Sequence, residues 1–266
     1  MRLVTWNINS VRLRLPLVKR LTEEAAPDIL CLQETKCPDE YFPTGDLRAM
    51  GYEHQHFHGM KGYNGVAILS RLPMDARDVH HRVGREDCRH IAASISTPSG
   101  GFELHNLYIP AGGDEPDPNV NDKFAHKLDF VDEMTDWFKD RYSADQKLVA
   151  VGDFNIAPYE HDVWSHKQLL NVVSHTPPET DRLAGMLGSL DWVDVARRFV
   201  AMDEKCYTWW SYRNRDWKKS NRGRRLDHVW VTPPLRESLE AHQVFSKARD
   251  WEKPSDHAPV IVDIEL

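Results

Sequence analysis

Short runs of apolar and β-branched residues recur from one end of this 266-residue sequence to the other, and they constrain its fold more than any other feature. Each run has the length of a strand and is bounded by Gly, Pro, Asn or Asp. None approaches the roughly 20 apolar residues of a transmembrane helix. We therefore predict strands at LVTW near position 3, DILCLQ near 28, GVAILS near 65, IAASIS near 91, FELHNLYI near 102, KLVAVGDF near 147, LDHVWV near 226 and PVIVDI near 259.

Helical patterns lie between some of these strands. The apolar residues from Phe124 to Phe138 are spaced 4, 3, 3 and 4, which predicts an amphipathic helix. Neighbouring runs near 91 and 102 predict a hairpin. Strands and helices mixed in this way favour an α/β protein in which helices cover a mixed sheet system, although the pattern leaves the strand order open. Two more helices are predicted, over Leu13–Ala25 and over Asp181–Leu190, and Pro16 lies in the first turn of the former.

The composition is that of a globular protein, with 41% hydrophobic and 28% charged residues. We find no repeat or long linker, and we predict a single domain over residues 1–266. The four cysteines form no CxxC pair, and the N-terminus leads into a strand rather than a signal segment. These features predict reduced thiols and a cytoplasmic protein without a membrane partner. Because nothing indicates an assembly surface, we expect a monomer.

The net charge is −7, yet one segment is strongly basic. Lys205–Arg225, the basic aromatic segment, carries eight basic residues and one acidic residue, with Trp209, Trp210, Tyr212 and Trp217 between them. A basic loop is often no more than a solvated surface. Aromatic rings between the cations favour a nucleic-acid contact, because rings stack on bases while cations hold phosphates.

Several predicted strands begin or end with a carboxylate, amide or imidazole. Such groups can meet in one cleft although they are distant in sequence. Oxygen donors without cysteine suit a hard cation such as Mg²⁺ or Mn²⁺, a carboxylate can deprotonate water, and an imidazole can stabilise phosphate oxygens. Each group alone has a simpler explanation as a turn former, a helix cap or a core tyrosine. The set comprises Gln33, Glu34, Tyr108, Asp153, Asn155, Asp227, Asp256 and His257.

Seven motifs stand in a recognisable order: WNINS, LQETK, HGMKGYNGVAILS, LYIPAG, GDFNIAP, NRGRRLDHV and KPSDHAPV. In this order and spacing the chain resembles the exonuclease III family of apurinic/apyrimidinic endonucleases, from Arg2 to Ile264. The resemblance implies the endonuclease/exonuclease/phosphatase fold, a four-layer α/β sandwich in which two mixed β-sheets pack face to face with helices outside. It also implies a DNA-repair phosphodiesterase that cuts 5′ to abasic sites in duplex DNA, trims 3′ ends as a 3′–5′ exonuclease and removes 3′ blocks.

The resemblance also implies roles for individual residues. Glu34 would be the main ligand of Mg²⁺ or Mn²⁺, with Asn7 and Asp256 beside it, and Asp153, Asn155 and His257 complete the predicted metal shell. Asp153 would activate the attacking water or bind a second metal, and Asn155 would orient the water or the phosphate. His257, held by Asp227, would hydrogen-bond the scissile phosphate, and Tyr108 would bind a phosphate oxygen or, as phenolate, assist the leaving group. The implied DNA contacts are Arg12, Lys36, Arg89, Lys123, Trp209, Arg224 and Leu226, of which Trp209 and Leu226 would wall a pocket for a flipped-out baseless sugar.

Three positions are notable against that pattern. Arg224 stands where some members carry an aromatic wall, which would loosen the sugar pocket and favour broader 3′-end trimming. Asn9 stands where some members place Asp, which makes a second metal less certain. Ala111, beside Tyr108, is small, so no bulky plug is expected in the DNA path.

Two alternatives remain open at this level. A phosphatase or lipid phosphodiesterase on the same fold would share the GDFN-like and SDH-like motifs, but the basic aromatic segment favours DNA. A non-enzymatic binding module would be expected to lack at least one of Glu34, Asp153, Asp256 and His257, and all four are present. His54, His56 and His58 suggest zinc, but on a strand the outer pair would lie about 13 Å apart, too far for one ion. We expect a half-exposed strand there.

Overall fold

The computed structural model describes residues 1–214 and 216–266, so Arg215 of the basic aromatic segment lies outside the described residues. The strands are β1 (Arg2–Asn7), β2 (Ile29–Gln33), β3 (His54–His58), β4 (Val66–Ser70), β5 (Met74–Arg82), β6 (Arg85–Thr97), β7 (Gly100–Tyr108), β8 (Leu148–Asp153), β9 (Val193–Asp194), β10 (Trp209–Trp210), β11 (Gly223–Arg224), β12 (Asp227–Val231), β13 (Leu239–Val244) and β14 (Val260–Ile264). The α-helices are α1 (Leu15–Ala25), α2 (Thr44–Ala49), α3 (Asp122–Arg141), α4 (His166–Leu169), α5 (Pro177–Gly188), α6 (Val195–Phe199) and α7 (Trp217–Ser220). Short 3₁₀ turns cover Asp39–Tyr41, Glu160–Asp162, Pro233–Ser238 and Ser246–Asp250.

Two six-stranded sheets form the centre of the molecule. The first has the order β13-β14-β1-β2-β4-β3 and the second the order β5-β6-β7-β8-β12-β9. Each sheet is mixed, because β1 pairs with β2 in parallel and β7 pairs with β8 in parallel, while the other pairs are antiparallel. The predicted hairpin of β6 and β7 is confirmed.

Successive side chains along a strand point to opposite faces of the sheet and so belong to different layers of the sandwich. In β1, Leu3 packs between the two sheets while Val4 packs outward under α1. On the other side, α3 and α5 cover the outer face of the second sheet, with Phe130 and Leu183 in the same apolar cluster. The predicted four-layer α/β sandwich is therefore confirmed.

The strand predictions are confirmed at all eight segments, and two helix boundaries are corrected. The first predicted helix begins at Leu15 rather than Leu13, because Pro16 lacks an N–H and is suited to the first turn. The helix predicted from Asp181 begins at Pro177, because Thr176 and Glu179 form a capping box one turn earlier.

Two other sequence predictions concern single elements. The histidine-rich segment is the half-exposed strand β3, in which only the central histidine is buried. The ring Nε2 of this residue, His56, is hydrogen-bonded to the backbone carbonyl of Asp78 at 2.9 Å. The four cysteines are free and buried. Among residues 1–214 and 216–266, no helix combines the length and apolar character that crossing a bilayer requires.

The parallel pairs bring the polar strand ends to one edge of the sandwich. In the first sheet, Asn7 is level with Gln33, and in the second, Asp153 is level with both Tyr108 and Asp227. Gly152 permits this close approach, because its φ is +141° and a Cβ would lie 1.9 Å from the carbonyl oxygen of Leu107. The expected cleft is thus assembled from both sheets.

Candidate active site

A hydrogen-bond network joins the first sheet to the second at this edge. Asn7 Nδ2 donates to Glu34 Oε1 at 2.9 Å and to Asp153 Oδ2 at 2.8 Å. Lys36 Nζ lies 2.7 Å from Glu34 Oε2 and donates to Asn9 Oδ1 at 2.7 Å. The network connects carboxylates that are more than a hundred residues apart in the sequence.

Asp256 extends the network toward the basic aromatic segment. Its Oδ1 accepts from Asn9 Nδ2 at 3.2 Å, and its Oδ2 accepts from Trp209 Nε1 at 3.0 Å. Burial would raise the pKa of Asp256, but the His257 imidazolium and the Trp209 N–H outweigh it and lower the pKa. This carboxylate therefore stays ionised beside the indole.

The backbone at the strand ends adopts unusual conformations. Glu34, Lys36 and Asn155 have φ values of 49°, 49° and 54°, in the left-handed region that non-glycine residues seldom occupy. The Ser10 N–H donates to the Glu34 carbonyl at 2.7 Å, and Asn155 Nδ2 donates to the Ile109 carbonyl at 2.8 Å. Such strained positions cluster at functional sites, where neighbouring bonds hold them in place.

His257 lies between two carboxylates. Its Nδ1 is 2.8 Å from Asp227 Oδ2, and its Nε2 is 3.7 Å from Asp153 Oδ2. Burial lowers the pKa of the imidazole, but Asp227 and Asp153 outweigh it and raise the pKa to about 10. The ring is therefore an imidazolium near neutral pH, with Nε2–H facing the centre.

Thr208 orients this pair and was not identified from the sequence. Its hydroxyl donates to Asp227 Oδ2 at 2.5 Å and accepts from the backbone N–H groups of Leu226 and Asp227. In the sequence, only its position one residue before Trp209 could have indicated a role for Thr208 in the site. The carboxylate that holds His257 is thus itself held by the Thr208 hydroxyl, which two backbone N–H groups fix in place.

Asp153 is the carboxylate of the centre whose ionised form is least stabilised by its surroundings. Burial raises its pKa, and the charges of Asp227 and Glu34 raise it further against the opposing effect of His257, to about 7. Burial also acts on Glu34, but Lys36 and Asn7 outweigh it and lower the pKa of Glu34. Asp153 can therefore exchange a proton near neutral pH, as a general base requires.

Tyr108 lies beside these carboxylates. Burial, together with the charges of Glu34 and Asp153, raises the pKa of its phenol well above the usual value. The Arg89 guanidinium lies 4.9 Å from the centre of the tyrosine ring and donates to the Tyr108 carbonyl at 3.3 Å. This environment favours the protonated phenol, a hydrogen-bond donor, over the phenolate.

The oxygen-rich centre fits a hard divalent cation. Glu34, Asp153 and Asp256 supply carboxylates, and the buried Asp227 Oδ1 has no hydrogen-bond partner among the described residues. A cation would offset the repulsion that raises the pKa of Asp153. Ligand atoms of Asp153, Asp227 and His257 lie within 4.8 Å of one another, close enough for one ion to contact all three.

Two cavities lie beside the centre, and both include Gly113 in their lining. One has a volume of about 580 Å³ and is lined by Tyr108 with Arg89 and Lys123. The other has a volume of about 500 Å³ and is lined by Trp209 and Arg224. Cations therefore line both cavities beside an acidic centre, an arrangement suited to a polyanion that crosses it.

The remaining predicted DNA contacts lie elsewhere. Arg12 is exposed and lies over the Tyr41 ring at 5.8 Å, away from both cavities. Lys36 is bonded within the acidic centre rather than facing a cavity. Leu226 is 5% exposed and packs behind Trp209, so it supports the predicted wall from the inside.

A buried ion pair lies behind the loops of the site. It was also not identified from the sequence. Lys127 and Glu179 are both fully buried and paired with each other. Lys127 Nζ also donates to the carbonyls of Asn155 at 2.8 Å and Ala111 at 3.3 Å. Helices α3 and α5 thereby fix the loops that contain Ala111 and Asn155.

Comparison with known proteins agrees with this arrangement. The Endonuclease/Exonuclease/phosphatase family matches residues 4–257. Exodeoxyribonuclease III of Haemophilus influenzae is 28% identical over 98% of both chains. Among solved structures, an AP endonuclease from Archaeoglobus fulgidus is 32% identical over the whole of both chains, with a TM-score of 0.92. A 3′–5′ exonuclease from Neisseria meningitidis is also 32% identical over both chains, with a TM-score of 0.89.

The fold and the acidic centre define a hydrolytic enzyme that acts on phosphate esters. The chain belongs to the Endonuclease/Exonuclease/phosphatase family, and its relatives place it with the exonuclease III type of DNA-repair nucleases. The resemblance predicted from the seven motifs is confirmed.

Proposed function

We propose that this protein is a divalent-metal-dependent phosphodiesterase that cleaves duplex DNA on the 5′ side of abasic sites and also processes blocked 3′ ends as a 3′–5′ exonuclease. It acts as a monomeric single domain in the cytoplasm, on the chromosome. The relatives support this proposal, since they include an AP endonuclease, a 3′–5′ exonuclease and a Neisseria 3′ phosphatase bound to product DNA hairpin.

One observation carries the proposal: a single indole joins the acidic centre to the basic aromatic cavity. Trp209 donates to Asp256 through Nε1, and its ring faces Arg224 with 5.4 Å between guanidinium carbon and ring centre. A phosphate at the centre would therefore have its neighbouring sugar against aromatic and cationic walls. An abasic sugar has lost its stacking, so its extrusion costs less than that of an intact nucleotide.

The residues divide the chemistry among them. Asp153 takes a proton from water, which attacks phosphorus in line with the departing 3′-oxygen. Asn155 orients that water or a phosphate oxygen, with its own amide fixed to Ile109. His257 donates from Nε2 to a phosphate oxygen, and Asp227 holds its orientation and its charge. Tyr108 donates a further hydrogen bond as a phenol.

The metal would be held by Glu34, with Asn7 and Asp256 near it, and Mg²⁺ or Mn²⁺ fits this oxygen donor set. When bound, such an ion supplies positive charge that stabilises the charge developing on the phosphate and the leaving oxygen. In this structure Asn7 directs its amide N–H groups at Glu34 and Asp153, while its Oδ1 accepts from the Asn9 N–H.

The proposal is tested with a labelled duplex that contains one central abasic-site analogue, beside an undamaged duplex. Each is incubated with wild type or Asp153→Asn, in Mg²⁺ or in EDTA. We expect a single metal-dependent cut 5′ to the lesion that leaves a 3′-hydroxyl, and its loss in Asp153→Asn.

Other outcomes have defined meanings. A ladder from the 3′ ends of both duplexes, without a preferred cut, would reduce the proposal to a 3′-end-processing exonuclease. No cleavage with any metal, together with hydrolysis of phosphorylated inositols or lipids, would replace it with the phosphatase or lipid phosphodiesterase alternative.

A further inference from the structure

Arg224 is fixed in the wall of the cavity that contains Trp209. The two residues face each other across the short ribbon of β10 and β11. Arg224 Nη1 donates to the Val173 carbonyl at 2.9 Å and to Ser174 Oγ at 2.7 Å. These bonds hold the guanidinium over the indole and leave Nε and Nη2 without a hydrogen-bond partner among the described residues.

The Glu179 carboxylate acts on the charge of Arg224 but is paired with Lys127 instead. The two bonding partners of Arg224 are neutral oxygens, and it forms no ion pair within the described part of the chain. The next residue, Arg225, is the opposite case, because Asp162 and Asp194 pair with it. Arg213 and Arg222 line the same cavity as Arg224, whereas Asp114 is the single acidic residue among the described residues of the lining. The cavity therefore attracts an anion.

The position of Arg224 defines which part of a substrate it meets. Trp209 contacts Asp256 of the acidic centre through its ring nitrogen and Arg224 through its ring face. When the scissile phosphate lies at the acidic centre, the cavity holds the group that is esterified to this phosphate on the side away from the DNA 3′-oxygen. At an internal abasic site this group is a neutral sugar, whereas at an oxidised 3′ end it is a short acid.

We propose that Arg224 is a specificity-determining residue that makes the Trp209 cavity a receptor for acidic fragments at DNA 3′ ends, such as the carboxylate of a 3′-phosphoglycolate. The inference rests on the proposed function and names the class of blocked end that this chain prefers. A planar guanidinium with free N–H groups pairs well with a carboxylate, and the indole beneath it limits competition from water.

The reaction on such an end is an ordinary hydrolysis. The water oxygen bonds to phosphorus while the bond between phosphorus and the DNA 3′-oxygen breaks. One proton passes from the water to the base, and the 3′-oxygen gains a proton. The products are a 3′-hydroxyl end and free phosphoglycolate, and no oxidant or reductant is needed.

The test uses two ends of the same length, one with a terminal carboxylate and one with a neutral terminal hydroxyl. One duplex carries a 3′-phosphoglycolate, and the other carries a 3′-phosphate esterified with neutral ethylene glycol, of the same two-carbon length. The readout is the ratio of kcat/KM for the acidic end to kcat/KM for the neutral end. A duplex with an internal tetrahydrofuran is cut in parallel to measure the proposed abasic-site activity.

Four proteins are compared: wild type, Arg224→Met, Arg224→Lys and Arg236→Met. We expect Arg224→Met to lower the ratio roughly ten- to hundredfold, as for loss of a hydrogen bond to a charged group, and Arg224→Lys to give an intermediate ratio. Arg236 is exposed on the 3₁₀ turn Pro233–Ser238, so Arg236→Met removes the same charge far from the cavity and should leave the ratio at the wild-type value.

The outcomes separate the two proposals. A wild-type ratio near or below one, or a ratio that is equal in wild type and Arg224→Met, overturns the inference while leaving the nuclease intact. If Arg224→Met fails to fold, the wild-type ratio and Arg224→Lys decide the question. Failure of wild type to cut any of the three duplexes would instead overturn the proposed function.

Discussion

Two buried clusters of charged residues are centred on Arg225 and Asp227, two residues apart in the sequence, and they differ in how completely their charges are paired. Around Arg225, pairing is complete: its guanidinium bonds both oxygens of Asp162 at 2.8 Å and both oxygens of Asp194 at 2.9 and 2.8 Å. Burial lowers the pKa of Arg225, but the two aspartates outweigh it and raise the pKa well above the usual value. Burial would raise the pKa of Asp194, but the Arg225 guanidinium outweighs burial and lowers the pKa.

Around Asp227, pairing is incomplete. Asp153, Asp227 and Glu34 share one imidazolium and one lysine, and burial with the neighbouring acids raises the pKa of Asp153 to about 7. The Arg225 cluster therefore stabilises the fold through complementary charges, whereas the Asp227 cluster retains repulsion that a bound cation would offset. Strongly perturbed carboxylates of this kind are typical of catalytic sites.

The largest effect that should distinguish the clusters is on activity. We expect Asp153→Asn to lower kcat about 10⁴-fold, the upper end of what a general base contributes, because asparagine cannot accept the proton of water. Single-turnover cleavage of the abasic duplex in Mg²⁺ measures this loss. A loss of less than tenfold would assign the base to another residue.

The next effect should be on stability, in the other cluster. Arg225→Met leaves Asp162 and Asp194 buried beside one remaining partner, Arg197, and should lower the free energy of unfolding by about 3–5 kcal/mol. Urea denaturation followed by tryptophan fluorescence measures this change. Arg236→Met, an exposed control, should change the free energy by less than about 0.5 kcal/mol. Equal values for the two variants would show that the network is dispensable.

Asp153→Asn should stabilise the protein in EDTA, the reverse of the effect at Arg225. A pKa raised from 3.8 to about 7 means that the folded state binds this proton more tightly, so stability is lost as pH rises through about 7. At pH 8 the substitution removes this cost, and we expect a gain on the order of 1–3 kcal/mol. At pH 4 the gain should largely disappear. A loss of stability at pH 8 would show that Asp153 is well compensated by His257.

The pH dependence of cleavage should follow the same group. Protonation of Asp153 removes the base, so kcat/KM should fall about tenfold per pH unit below about 7, while loss of the His257 proton should reduce it above about 10. Profiles at two Mg²⁺ concentrations test this prediction. Because a cation competes with the proton, the acidic limb should move to lower pH at the higher concentration. A profile flat from pH 5 to 8 would contradict it.

The smallest predicted effect concerns Thr208. Thr208→Val keeps the shape but removes the hydroxyl that holds Asp227, so we expect a loss of about 1–1.5 kcal/mol in transition-state stabilisation, or roughly tenfold in kcat. Thr208→Ser should restore most of the rate. An increase in KM with unchanged kcat would instead assign Thr208 a role in DNA binding.

The comparison also explains what the sequence could reveal. Strands and the polar residues at their ends follow from local patterns, which is why Glu34, Asp153 and His257 could be grouped before their geometry was known. Their grouping becomes specific through the order of the motifs. Helix α5 was misplaced because its start depends on a capping box rather than on the apolar period. Thr208 and Lys127 were not identified because their hydrogen-bond partners lie 16 or more residues away in the sequence, and tertiary packing alone brings them together.

The pairing of β1 with β14 has a consequence for synthesis of the protein in the cell. The centre draws on Asn7 in β1 and on Asp256 and His257 just before β14, and these two strands are neighbours in one sheet. A ribosome-bound chain that has not yet released β14 therefore lacks both the imidazolium and the closing strand. The catalytic centre therefore forms only after β14 has been synthesised and has paired with β1.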